Sequence, residues 1–141
     1  MADGTPRYKR YIRVTPPSGG VVQVEIGVQG YPMVGLHWKE QLTGANLRKW
    51  GRIYIDDDPS AKRARRRLAL YPFGRLYAGE VGNNLDECPG AMFVWENQDQ
   101  VAHVMPCDAR ANQDLGRDLY NALRAAVVGP MGWYEVRFSF A

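Results

Sequence analysis

The chain lacks many of the features that would announce a function. It has two cysteines, Cys88 and Cys107, among 141 residues, too few for a disulfide framework. It has two histidines, His37 and His103, and among these four residues only His103 and Cys107 come near a chelating spacing. No apolar run approaches the roughly 18 residues of a membrane span. Met1–Pro6 is polar with no apolar stretch behind it, so no secretory leader is expected and a cytoplasmic location is. Neither GxxxxGK[ST] nor GxGxxG occurs, so nothing points to a nucleotide cofactor and no cofactor is expected. No zinc-finger or RNP-like pattern supports base-specific recognition of a nucleic acid.

Charge is absent by sign along whole stretches. No acid lies between Gly4 and Val24, and no basic residue between Leu76 and Ala109. Residues 1–75 hold 14 Lys and Arg against 6 Asp and Glu, a balance of +8. Residues 76–141 hold 4 against 9, a balance of −5. The net +3 hides this division. Such asymmetry points to an anionic partner, to self-association, or to halves that cancel within the fold.

What is present reads as one α+β domain over residues 8–141, behind a flexible tail at 1–7. The expectation is a mainly antiparallel sheet of about six or seven strands with two principal helices. Tyr8–Val14 and Val21–Val28 read as strands, the second with Val22, Val24, Ile26 and Val28 on one face. The cluster Thr15–Gly20 lies between them as a turn. Met33–Trp38 reads as a short strand and Lys39–Lys49 as ambiguous, with a helical turn capped by Asn46. Arg52–Ile55 and Arg75–Tyr77 read as short strands and Gly79–Gly90 as loop. Ala91–Trp95 and Val101–Met105 read as the two arms of a hairpin. Asp108 opens the clearest helix, with Leu115, Leu119, Ala122, Leu123 and Ala126 as its apolar stripe. Gly129-Pro130 ends it. Tyr134, Val136, Phe138 and Phe140 alternate in a final strand. The sequence Trp50-Gly51-Arg52-Ile53-Tyr54 is echoed by Phe73-Gly74-Arg75-Leu76-Tyr77, too briefly to define a repeat.

The most distinctive segment runs from Asp56-Asp57-Asp58-Pro59 into Lys62, Arg63, Arg65, Arg66 and Arg67. Asp58 is a helix N-cap and Pro59 suits the first helical position. Ala61, Ala64, Leu68 and Tyr71 would face the core, with the five basic residues fanned over the remainder. Like charges on adjacent turns repel, and a polyanion would relieve that repulsion while releasing counterions. Lys9, Arg10 and Arg13, interleaved with Tyr8 and Tyr11, extend the basic set and could track a phosphate backbone.

The leading expectation is therefore a non-enzymatic binding or accessory protein. It would present Lys62, Arg63, Arg65, Arg66 and Arg67, with Lys9, Arg10 and Arg13, to a nucleic acid or an acidic protein surface. One alternative is a self-assembling protein whose basic half meets the acidic half of another copy, as a homo-oligomer or array. Another is a metal-dependent phosphodiesterase or nuclease using Asp56 and Asp58. A tetrahedral zinc site from His37, Cys88, His103 and Cys107, and a nucleophilic cysteine served by His103, have the right residue types without a supporting motif.

Overall fold

The computed structural model describes residues 9–70, 82–127 and 132–141. The expected tail, the strand at Arg75–Tyr77 and the helix stop at Gly129-Pro130 lie outside them. Among the described residues seven strands form two sheets, and four α-helices accompany them. The architecture is α+β, but the main sheet is mixed and five-stranded, and the helices are twice the number expected.

β1 (Ile12–Ser18) and β2 (Val21–Ile26) form an antiparallel pair joined at Gly19-Gly20, both with positive φ (59° and 77°). Pro16-Pro17 fall inside β1, where the register shifts between Thr15 and Ser18. β1 is an edge strand, the place where a missing N–H is tolerated. Val22, Val24 and Ile26 are fully buried, as their alternation requires. β7 (Glu135–Phe140) then lies parallel to β2 and antiparallel to β3 (Ile53–Ile55), and β5 (Phe93–Trp95) closes the far edge. The parallel β2–β7 pair is what makes the sheet mixed.

Two helices, over residues 34–41 and 44–50, stand where a short strand and an ambiguous segment were expected. Val34, His37, Trp38, Gln41 and Leu42 are all buried, an i, i+3, i+4, i+7, i+8 stripe that carries α1 (Val34–Gln41). Two of those five are polar, which disguises the period. Gly35 permits the packing: a Cβ there would sit 2.5 Å from the Val28 carbonyl oxygen. α2 (Gly44–Trp50) follows. Asn46 does not cap it; its side chain donates back to the Glu40 carbonyl.

The expected hairpin does not form. β5 pairs with β3, whereas β6 (His103–Asp108) pairs with β4 (Asn83–Cys88), a strand in a stretch expected to be loop. The β4–β6 ribbon contacts α1, α3 (Pro59–Leu70) and α4 (Ala109–Ala126). α4 starts as expected, Asp108 accepting from the Ala111 N–H at 2.8 Å, and buries Ala111, Leu115, Leu119 and Leu123. These join the inner faces of both sheets in one core. No helix among the described residues is long and apolar enough to cross a membrane.

Candidate functional site

α3 begins as expected. Asp58 accepts from the Ala61 N–H at 2.8 Å, closing the first turn. Its orientation is not as expected: α3 has no buried residue, Ala64 is exposed and Leu68 is 71% exposed. The helix docks through its polar side. Arg65 donates to the Ala91 carbonyl (2.7 Å), the Asp56 carbonyl (2.8 Å) and Asp56 Oδ2 (2.9 Å). Lys62 reaches Asp57 at 2.7 Å and stands 5.3 Å from the centre of the Tyr120 ring. Two of the five basic residues are thus fasteners. So are all three aspartates: Asp56 on Arg65, Asp57 on Lys62 and Asp58 on the helix N-terminus.

The other three differ. Arg63, Arg66 and Arg67 are exposed. Spacings of three and four place them on one outward face. Arg66 lies 3.7 Å from Glu87 with its own side chain 65% exposed, a loose pair of little energetic weight. Arg63 touches Ser60 Oγ at 3.4 Å. Among the described residues neither Arg63 nor Arg67 has an acidic partner.

The amino-terminal set divides the same way. Arg10 pairs with Asp114 (2.8 Å) and Asp118 (3.4 Å) on α4. Arg13 lies 5.4 Å from the centre of the Tyr11 ring, whose hydroxyl donates to Glu25. Lys9 is exposed.

Beneath α3 runs a cleft of about 440 Å³, lined by Lys62, Arg66, Asp86, Glu87 and Tyr120 among others. Strand alternation turns Glu87 toward α3 and its neighbour Asp86 toward α1. Burial raises the Glu87 carboxyl to about 7 against the opposing charge of Arg66. Burial also pushes Asp86 upward, although His37 and Trp38 both hydrogen-bond to it. His37 Nδ1 is 2.6 Å from Asp86 Oδ2, and Trp38 Nε1 donates to the same oxygen at 3.1 Å. The other His37 nitrogen, Nε2, is 2.8 Å from His103 Nδ1. The chain Asp86–His37–His103 therefore leads from a buried carboxylate to an exposed imidazole. Burial, followed by the charge of His37, holds His103 below the usual histidine range. Cys107 lies beside this chain, and burial pushes its thiol up to about 12.

Both histidines and Cys107 meet here, a convergence that no motif or spacing in the sequence supported. Asp86 and Glu87 were not legible, because Asn83-Asn84-Leu85-Asp86-Glu87-Cys88 has no strand alternation of apolar residues. The chain matches no protein-family model, and no curated protein matches it.

Proposed function

We propose that the chain is a binding or accessory protein that holds an anionic partner on the outward face of α3, through Arg63, Arg66 and Arg67. One observation carries this reading: α3 is fastened by Lys62 and Arg65, which leaves Arg63 and Arg67 exposed without an acidic partner among the described residues and Arg66 exposed beside them, held only loosely by Glu87. Guanidinium forks suit phosphate and carboxylate oxygens alike. A nucleic-acid backbone would be held without base readout, an acidic protein surface by the same complementarity. Lys9 and Arg13 are exposed and could extend the contact; Arg10 is engaged with α4.

The two alternatives have less support. Self-assembly of basic on acidic halves competes with pairs that already join the halves within one chain: Arg10 with Asp114 and Asp118, Arg52 with Glu96, Arg66 with Glu87. A phosphodiesterase would need Asp56 and Asp58, which are engaged in helix docking and capping.

The test is fluorescence anisotropy with labelled single-stranded and duplex oligonucleotides and with an acidic peptide, over a salt series. Binding should weaken steeply with salt, by a log–log slope of about 0.9 per duplex phosphate contacted. The variant R63E/R66E/R67E should lose it while remaining folded. Failure of every probe to bind at low salt, or full binding by the triple variant, would remove the proposal.

A further inference from the structure

The chain's histidines and cysteines number only four, and the fold gathers them on one patch. By alternation His103, Met105 and Cys107 share a face of β6. The register sets Cys88 opposite His103 and Asp86 opposite Met105. His37 descends on that face from α1. One nitrogen of His37, a carboxylate oxygen of Asp86 and Cys107 Sγ lie within 4.8 Å of one another, all three residues buried.

We infer that His37, Asp86 and Cys107 form a site for a borderline-soft divalent metal ion of the zinc class, with His103 as the residue that positions His37. Asp86 shares the cleft beneath α3 with Arg66, but the inference does not depend on the reading given to α3.

The donor set is one nitrogen, one oxygen and one thiolate sulfur, each a natural ligand of such an ion, with a neutral water to complete four-coordination. The charges also close. A carboxylate, a thiolate and a neutral imidazole around a dication sum to zero, which suits a site removed from water. With donor bonds of 2.0–2.3 Å, a tetrahedral ion sets its ligand atoms roughly 3.3–3.8 Å apart. His37 and Asp86, at 2.6 Å, part by under about 1 Å, and the ion replaces the hydrogen between them.

The protons balance through His103. Both hydrogen bonds are met when His37 donates from Nδ1 to Asp86 and its Nε2 accepts from His103 Nδ1–H. For Nδ1 to bind metal, His37 takes the other tautomer and donates from Nε2 to His103 Nδ1. His103 shifts its own proton to Nε2, which faces solvent. Neither imidazole gains or loses a proton in total; the one released comes from the Cys107 thiol. A ligating histidine usually donates its second ring N–H to a fixed acceptor, and His103 is that acceptor.

The experiment titrates the reduced, chelator-treated full chain with Co²⁺ and then Zn²⁺. One Co²⁺ per chain should bind with a near-ultraviolet thiolate-to-cobalt charge-transfer band and the visible absorption of a four-coordinate ion, both abolished by Zn²⁺. Cys107→Ala should lose the band, and Cys88→Ala should keep it. His103→Ala should keep the shape of the band but weaken affinity 10- to 100-fold, with partial recovery in His103→Gln, which retains an acceptor for Nε2–H. Zn²⁺ should raise the Tm of the wild type and not that of Cys107→Ala; the variant's own unfolding transition verifies that it folds. A wild-type chain with no thiolate band at saturating Co²⁺ overturns the inference, as does a band that survives Cys107→Ala.

Discussion

Arg65 and Arg67 look alike in the sequence, two positions apart in a basic run, yet the fold gives them opposite tasks. Arg65 makes three hydrogen bonds with its side chain 21% exposed. Arg65→Met should therefore cost about 1.5–3 kcal/mol in urea denaturation, the range for hydrogen bonds to a charged group. Arg63→Ala and Arg67→Ala should stay within about 0.5 kcal/mol of wild type. Sequence showed that this helix is basic but not which arginines turn inward, because Asp56 and the Ala91 carbonyl arrive from outside the helix. Tyr31 is a similar case: buried, its hydroxyl donates to Asp118 at 2.7 Å, and burial raises it well beyond the usual tyrosine range. Tyr31→Phe should cost about 1 kcal/mol, since Asp118 keeps its arginine neighbours. Nearby Asp114 is raised by burial but lowered by Arg10 and Arg117, and the arginines prevail. A carboxylate held below its unfolded value stabilises the fold above that value. The contribution fades as pH falls from about 4 through the lowered Asp114 value. Arg10→Ala should thus destabilise the protein at pH 7 and much less at pH 3, when the two are compared by chemical denaturation.

Elements built on a plain apolar period were legible, and those built on mixed residues were not. β2, α4 and β7 announce themselves because Val22, Val24 and Ile26, or Leu115, Leu119 and Leu123, repeat at one spacing. α1 hides because His37 and Gln41 occupy core positions as satisfied polar groups. β4 hides because its buried residues include Asp86 and Glu87, whose environments come from α1 and α3. The site was half legible for the same reason: two histidines and two cysteines were countable, but the carboxylate beside them lay in a stretch read as loop. Gly35 sets how closely α1 approaches Val28 and hence where His37 and Trp38 sit. Gly35→Ala should cost about 1–3 kcal/mol through overpacking against backbone. It should also alter Trp38 fluorescence in the folded state, and an unchanged unfolding midpoint would show that α1 has room to move.

Across the whole molecule the unequal halves partly answer one another. Arg10, Arg52 and Arg66 from the basic half meet Asp114, Asp118, Glu96 and Glu87 from the acidic half. Among the described residues Arg63 and Arg67 on α3 have no acidic partner, and Arg48 and Lys49 on α2 have none either; such local groups, rather than the +3 total, are what a partner would meet. The long-range pairing has a kinetic side as well. In the main sheet β7 lies between β2 and β3, with Val21 opposite Glu135. On a ribosome, β1 and β2 emerge early as a hairpin whose buried valines have no second neighbour. They must wait for more than a hundred further residues to be added before β7 arrives, several seconds or more at ordinary elongation rates. Folding of this sheet is thereby tied to the completion of β7, and a nascent chain halted before Glu135 would expose the inner edge of β2 to any extended peptide able to pair with it.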